Sequence, residues 1–103
     1  MITGGSGFIG NALVRRLINT TDCNLVNLDA LTYASSASAL KYLEGNPRYH
    51  FEKCDIGDRP TVANILQQYK PSIVYNLAAE THVDKSIEGP KIFIETNVVG
   101  TFN

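Results

Sequence analysis

The stretch TGGSGFIG, residues Thr3–Gly10, decides the fold of this sequence. It contains G-x-G-x-x-G from Gly5 to Gly10 and, with Gly4 included, the wider G-x-x-G-x-x-G. Glycines at this spacing let the backbone turn sharply, approach a pyrophosphate closely and pack the next helix against a sheet. The stretch therefore predicts a phosphate-binding turn between a strand and a helix, whose N-terminus offers unpaired N–H groups to an anion.

The sequence on both sides of the turn supports this interpretation. Met1–Thr3 has the composition of a short strand, and residues 8–19 repeat apolar side chains every four residues, as a helix packed on a sheet does. An acid, Asp29, follows Gly10 by nineteen residues, the spacing typical of a dinucleotide-binding unit. A glycine turn without a ligand would need none of these three features.

Strand and helix patterns alternate along the whole chain. Runs rich in Val, Ile and Leu predict further strands at Asn24–Asp29, Tyr49–Cys54 and Ser72–Leu77. Capping and breaker residues delimit the further helices, which are Ser36–Leu43, Arg59–Tyr69 and one running from Pro90 to Asn103. This alternation predicts an α/β fold, a Rossmann-type doubly wound parallel sheet with strand order 3-2-1-4.

Both ends of the chain depart from a complete pattern. Only three residues precede the glycines, where a central strand needs about five or six. The last helical pattern is still running at Asn103, and the four predicted strands are fewer than the about six of a whole dinucleotide domain. We expect residues 1–103 to be one incomplete NAD-binding domain, the N-terminal fragment of a longer protein whose second half and substrate part are missing.

Composition excludes several classes of protein. The chain is 44% hydrophobic and 18% charged, which are ordinary globular values. Its net charge of −1 gives no general attraction for nucleic acid or for an anionic membrane, and no apolar run reaches the roughly 18 residues of a membrane span. The two cysteines, Cys23 and Cys54, and the absence of a signal-peptide pattern predict free thiols and a cytoplasmic protein. No metal site is predicted.

Two acids follow predicted strands where the adenosine half of a dinucleotide would lie. The Asp29 carboxylate can accept hydrogen bonds from ribose hydroxyls and would repel a 2′-phosphate; the alternative is a loop-capping Asp. No Arg or Lys occurs in the ten residues after Asp29, which favours NAD over NADP. Asp55 with Ile56 would lie beside the adenine, but Asp55 fits a turn-forming residue equally well, because Gly57 follows it.

The segment Leu77–His82 follows the fourth strand, beside the topological switch point where open α/β sheets bind ligands. Its small Ala78 and Ala79 would let a ribose pass close to the backbone. Glu80 and Thr81 offer a carboxylate and a hydroxyl where a nicotinamide and a substrate would meet. His82 is interpreted as a loop or packing histidine, because a general base needs a hydrogen-bond partner that the sequence does not identify.

One catalytic-looking motif is rejected. Residues Tyr49–Lys53 match Y-x-x-x-K, in which a Lys one helical turn away, at about 6 Å, can lower the pKa of the Tyr phenol. The segment has a strand pattern, and on a strand the two side chains would lie roughly 13 Å apart.

The sequence resembles the extended short-chain dehydrogenase/reductase family over its whole length, and within it the nucleotide-sugar 4,6-dehydratases. Besides the glycine turn, the resemblance rests on the segments Asp29–Ala34, Leu77–Ile87 and Phe93–Thr101. The first two of these segments distinguish the dehydratases from related nucleotide-sugar epimerases. Two positions depart from the usual pattern: Ala30 replaces a common Lys, and Thr81 replaces a common Ser.

The resemblance implies NAD as cofactor and a residue-by-residue assignment of its contacts. Gly7–Ile9 would line the pyrophosphate, Asp29–Thr32 the adenosine ribose and Leu77–Thr81 the nicotinamide end. Thr81 would also reach the sugar substrate, and Asn97 would brace the site. The complete implied set is Gly4, Gly7, Phe8, Ile9, Gly10, Asp29, Ala30, Leu31, Thr32, Asp55, Ile56, Leu77, Ala78, Ala79, Glu80, Thr81 and Thr96.

The reaction that the resemblance implies converts dTDP-glucose into dTDP-4-keto-6-deoxyglucose. Hydride passes from C4 of the sugar to NAD, water leaves across C5 and C6, and hydride returns to C6. The family's Tyr/Lys pair and Asp/Glu acids for this chemistry have no counterpart in the 103 residues, so no catalytic residue is assigned and the chain alone is expected to be inactive. The full-length lyase is expected to be a homodimer; the alternatives are an epimerase of the same family or a non-catalytic NAD-binding fragment.

Overall fold

A four-stranded parallel sheet carries the glycine turn at its carboxyl edge in the computed structural model, which describes residues 1–36 and 38–103 and, of Lys85, only the backbone. The strands are β1 (Ile2–Thr3), β2 (Leu25–Asp29), β3 (Tyr49–Lys53) and β4 (Tyr75–Asn76). Their order is β3-β2-β1-β4, and β1 pairs in parallel with both β2 and β4. The predicted Rossmann-type fold and strand order are confirmed.

The helices are α1 (Phe8–Thr20), α2 (Arg59–Tyr69), α3 (Val83–Glu88) and α4 (Pro90–Ile94), which continues as a π-helical segment, Glu95–Gly100. Helix α1 connects β1 to β2, helix α2 connects β3 to β4, and two further helices follow β4. The bounds predicted for α2 are confirmed at both ends. Asp58 caps it by accepting a hydrogen bond from the Thr61 N–H at 3.3 Å, and Lys70, at φ 43°, ends it in the left-handed conformation.

Three elements differ from the sequence-based expectation. The predicted helix Ser36–Leu43 is only a 3-10 turn, Lys41–Leu43, and the part of the prediction on Ala37 lies outside the described residues. The fourth strand pairs only over Tyr75–Asn76, because its partner β1 is itself two residues long. Helix α3 was not predicted, since its six residues are too few to show a helical period.

Two apolar layers enclose the sheet because side chains of a strand alternate between its faces. On β2, Leu25 packs with Val14 and Ile18 of α1, whereas Leu28 packs on the opposite face with residues of α2. All five residues of β2 are buried. The sheet is therefore covered by α1 on one face and α2 on the other, which leaves its carboxyl edge as the open side.

Apolar side chains remain exposed on β4 and on the helices that follow it. They include Ile73, Val74, Tyr75, Leu77, Val83, Ile87, Ile92, Ile94, Val98, Val99 and Phe102. Among the described residues, no helix is both long enough and apolar enough to cross a membrane.

Candidate nucleotide-binding site

A cleft of about 720 Å³ opens at the carboxyl edge of the sheet. The loops after all four strands and one face of the last helix form its walls. Most of the predicted contact residues line it: Gly4, Gly7, Asp29, Ala30, Thr32, Asp55, Ile56, Leu77, Ala78, Ala79, Glu80 and Thr96.

Backbone packing explains two glycines of the turn. Gly4 has φ +67°, and a Cβ there would lie 2.7 Å from the backbone nitrogen of Ala78 in the loop after β4. At Gly10, a Cβ would lie 2.1 Å from the Gly4 carbonyl oxygen. The missing side chains thus bring α1 against the turn and the turn against the fourth-strand loop, which closes the floor of the cleft.

Helix α1 begins without the groups that usually neutralise a helix N-terminus. Its N-cap is Gly7, no side chain caps it, and its first turn contains no acid. The first backbone bond of the helix runs from the Asn11 N–H to the Gly7 carbonyl, so the earlier N–H groups of the first turn have no helical partner. Such an N-terminus suits a phosphate.

The buried Asp29 carboxylate joins this turn to the loop after β2. Its Oδ2 accepts a hydrogen bond from the Ser6 N–H at 2.8 Å. Its Oδ1 accepts from the Leu31 N–H at 2.8 Å and from the Ser35 hydroxyl at 2.7 Å. These bonds use three of a carboxylate's about four acceptor positions, which leaves room for one more donor such as a ribose hydroxyl.

Asn27 supports the turn from the core. It is fully buried on β2, and its Nδ2 donates to the Ser6 hydroxyl at 3.3 Å and to the Tyr49 hydroxyl at 3.0 Å. Tyr49 therefore has a structural role on β3, and burial raises the pKa of its phenol. Tyr49 and Lys53 both lie on strand β3, as predicted, so they are not one helical turn apart.

Thr3 positions the loop after β4. Its Oγ1 accepts hydrogen bonds from the N–H groups of Leu77 and Ala78, both at 3.2 Å, and its hydroxyl also contacts Asn76 Oδ1. The small side chains of Ala78 and Ala79 then form one wall of the cleft.

Asn97 ties the same loop to the last helix. Its Oδ1 accepts from the Glu80 N–H at 2.8 Å, and its Nδ2 donates to the Glu80 carbonyl at 2.9 Å. These two bonds are the contacts that the predicted bracing role of Asn97 requires. Asn97 lies in the π-helical segment, a geometry often found at functional sites, while its neighbour Thr96 lines the cleft.

Replacing Asn97 by alanine should loosen this wall. Both backbone groups of Glu80 would lose their partner, which costs about 1 kcal/mol of stability because the site is exposed to water. The loss in free energy of nucleotide binding should exceed the loss in free energy of unfolding. Urea denaturation and ligand titration of Asn97→Ala check this, with Asn64→Ala on an exposed position of α2 as the matched control; equal behaviour of the two variants would contradict it.

Asp55, in the loop after β3, both forms a turn and lies at the cleft, so both features predicted for its position are present. Asp55 Oδ1 accepts from the Gly57 N–H at 2.8 Å, which is a turn-forming bond, and Asp55 with Ile56 also lines the cleft. Cys54, for which the sequence predicted only a free thiol, lines it too. Burial, followed by the nearby carboxylates of Asp58, Asp55 and Glu52, raises the pKa of the Cys54 thiol.

The raised pKa predicts different reactivity of the two thiols. Cys54 is buried, and its raised pKa lowers the fraction of thiolate at a given pH. Cys23 is exposed. We expect iodoacetamide at about pH 8 to modify Cys23 at least roughly tenfold faster than Cys54. Peptide mass spectrometry over time measures both rates in one sample, and faster modification of Cys54 would refute the buried placement.

Five residues of the predicted contact set do not line the main cleft: Phe8, Ile9, Gly10, Leu31 and Thr81. The side chain of Phe8 is 96% exposed, and that of Ile9 is 68% exposed. Gly10 is buried beneath the turn, and Thr81 is exposed. Leu31 has the left-handed φ of +55°, an uncommon conformation for a branched residue, held by the bond from its N–H to Asp29.

Other lining residues were not predicted. They include Leu28, Ala34, Ser35, Gly57, Asp58, Ile92, Glu95 and Val99. The last three could have been found from Thr96, because positions 92, 95, 96 and 99 lie on one helical face. No group of three His, Cys, Asp or Glu side chains suited to a metal ion occurs in the part of the chain that the structure describes.

Fold and cleft together are those of a Rossmann-type α/β unit with a glycine turn at the carboxyl edge of its sheet. Residues 1–103 match the family model described as GDP-mannose 4,6 dehydratase, and the chain belongs to this family. It is 54% identical over 102 residues to dTDP-glucose 4,6-dehydratase of Haemophilus influenzae, and 51% identical to that of Escherichia coli. The alignments cover 99% of this chain and 30% and 28% of those relatives, so the chain spans under a third of their length.

Solved structures show the same similarity. DesIV, a dTDP-glucose 4,6-dehydratase of Streptomyces venezuelae solved with NAD, is 39% identical with a TM-score of 0.88, over 97% of this chain and 32% of DesIV. UDP-glucose 4-epimerase of Thermus thermophilus, also in complex with NAD, is 26% identical with a TM-score of 0.83, over 98% of this chain and 30% of the epimerase. Dehydratases and epimerases therefore share this fold.

Proposed function

We propose that the chain is the NAD-binding part of a nucleotide-sugar 4,6-dehydratase that converts dTDP-glucose into dTDP-4-keto-6-deoxyglucose. The observation that carries the proposal is the cleft itself: an uncapped helix N-terminus after a glycine turn, with a carboxylate at the end of the next strand. The 50–54% identity to curated dehydratases supports the choice of reaction.

The described residues fit NAD at each part of the molecule. The turn with Gly4, Gly7 and Gly10 leaves space above α1 for a pyrophosphate, which the N–H groups of Phe8 and Ile9 would bind. Asp29 has an acceptor position left for the adenosine ribose, and Ala30 and Thr32, which also line the cleft, would continue that contact. Asp55 with Ile56 would border the adenine, and residues 77–80 with Thr96 would border the rest of the cofactor.

Bound NAD would supply the acceptor and donor of hydride. The residues of this chain would bind and orient it. In our proposal, residues 1–103 are the cofactor domain of a homodimeric cytoplasmic enzyme, Thr81 contacts the sugar, and the catalytic residues lie in the remainder of the protein.

An epimerase is the second candidate, because epimerases share the fold with TM-scores of 0.83 to 0.88. Their identity to this chain is 26–29%, lower than that of the curated dehydratases. Nuclear magnetic resonance of the products of the full-length enzyme separates the two: a 4-keto-6-deoxy sugar supports the dehydratase, and an inverted C4 hydroxyl supports the epimerase.

Cofactor binding is tested on the chain itself by thermal unfolding with increasing NAD or NADP. A ligand that binds only the folded state stabilises it by RT ln(1 + [L]/Kd), about 2.7 kcal/mol at a hundredfold excess over Kd. We expect NAD to raise Tm more than NADP, since the Asp29 carboxylate repels a 2′-phosphate. No shift in Tm at millimolar NAD would overturn the binding role.

A further inference from the structure

We propose that Tyr33 and Glu80 form a strap across the candidate cofactor cleft, which must open for the nucleotide to enter and leave. The inference rests on the proposed NAD-binding function and adds a mechanism of nucleotide retention. It is carried by one long-range contact: the Tyr33 hydroxyl donates a hydrogen bond to Glu80 Oε2 at 2.9 Å.

The strand order places this contact over the glycine turn. Tyr33 belongs to the loop after β2 and Glu80 to the loop after β4, and these two strands flank β1. A bond between their loops therefore crosses the carboxyl end of β1, where the turn begins. Thr32 and Ala34, on either side of Tyr33, line the cleft, as Glu80 does, so the bond joins two opposite walls.

The loops that carry Tyr33 and Glu80 are both held in place by other hydrogen bonds. The loop on the Tyr33 side is held to Asp29 by the Leu31 N–H and the Ser35 hydroxyl, and to the turn by a bond from the Ser36 N–H to the Ser6 carbonyl at 2.9 Å. On the other side, the backbone N–H and carbonyl of Glu80 are both hydrogen-bonded to the side-chain amide of Asn97. The contact between Tyr33 and Glu80 can thus break while its supports stay in place.

The contact between Tyr33 and Glu80 is accessible to solvent, and Tyr33 also contacts His82. Tyr33 is 55% exposed, so water can replace its partners when the strap opens. Its ring also lies against that of His82, with centroids 6.2 Å apart and planes tilted by 56°. The hydrogen bond to Glu80 raises the pKa of the Tyr33 phenol, which stays protonated and able to donate at neutral pH.

A strap makes a kinetic prediction that a simple ligand contact does not. Opening limits both entry and exit, so its loss speeds both, whereas loss of a direct ligand contact speeds exit alone. For Tyr33→Phe, which removes only the hydroxyl, we expect the NADH dissociation and association rate constants each to rise about three- to tenfold. Glu80→Ala should have the same effect, and Glu80→Gln, which keeps an acceptor oxygen, a smaller one.

Stopped-flow fluorescence with NADH measures both rate constants. Tyr42→Phe, at an exposed tyrosine outside the cleft, is the matched control and should leave both unchanged. The double variant Tyr33→Phe with Glu80→Ala should be no faster than either single variant, because both break one contact. Alkaline absorbance titration adds an independent readout: in Glu80→Ala the Tyr33 pKa should fall towards its ordinary value, with Tyr33→Phe identifying its signal.

The outcomes separate the strap from the function on which it rests. Rate constants that stay at the wild-type values in Tyr33→Phe overturn the strap and leave cofactor binding intact. Faster dissociation with unchanged association also overturns it, in favour of a direct contact to the nucleotide. Failure of the wild-type chain to bind NADH at all overturns both proposals.

Discussion

Replacing Gly10 by alanine is expected to cost at least about 3 kcal/mol of unfolding free energy and to abolish NAD binding. The new Cβ would lie 2.1 Å from the Gly4 carbonyl oxygen and 2.7 Å from the Gly5 Cα. Both are backbone atoms of the turn, so no side-chain rotation relieves the overlap and α1 has to move away from the sheet. Urea denaturation and NAD titration of Gly10→Ala measure the two effects.

Gly45→Ala is the control for this experiment. Gly45 has φ +84°, yet no atom lies within 4 Å of the position its Cβ would take. This variant therefore has backbone strain without overlap and should lose only about 1 kcal/mol, with NAD binding unchanged. Equal stability losses in the two variants would show that close packing of α1 on the turn is not what the glycine provides.

Asp29→Ala is expected to have a similarly large effect, a loss of about 3–5 kcal/mol of unfolding free energy together with loss of NAD binding. The substitution removes the acceptor of three donors at once, the Ser6 and Leu31 N–H groups and the Ser35 hydroxyl. A buried donor left without a partner costs about 1–3 kcal/mol. The loops after β1 and β2 would separate, and with them the phosphate and ribose parts of the site. Denaturant unfolding and NAD titration measure the two losses.

Two further variants test the cause. Asp29→Asn keeps one acceptor oxygen and places an amide donor against the remaining donors, so its stability should be intermediate. Asp22→Ala removes an exposed carboxylate of the same charge and should change stability by no more than about 0.5 kcal/mol. If Asp29→Ala were as mild as Asp22→Ala, the carboxylate would not be what joins the two loops.

The fold was predictable because each strand and helix carries its own local signal. The period of apolar residues identified α1, the capping Asp58 with Lys70 and Pro71 delimited α2, and the glycine turn identified β1 as the central strand. Where the local signal was weak, prediction failed. The segment 36–43 was predicted as a helix and is a 3-10 turn at its end, and α3 has six residues, too few for a period.

The candidate site was predictable only in part. Most residues that directly follow strands line the cleft as expected, since parallel strands place their carboxyl ends at one edge. Ile92, Glu95 and Val99 on the opposite wall were missed because their residue types indicate no binding role, and only their helical spacing from Thr96 could have identified them. Cys54 was predicted only to be a free thiol, and it both packs in the core and lines the cleft.

The sequence by itself determined the glycine turn, the helix after it and the acid at the end of β2, because these follow from residue type and spacing within about thirty residues. The tertiary structure alone decided which groups meet across the chain: Tyr33 with Glu80, Asn97 with Glu80, and Gly4 with Ala78. These contacts join residues that are 17 to 74 positions apart. Such partners are selected by the packing of the whole sheet and its helices, to which no local pattern responds.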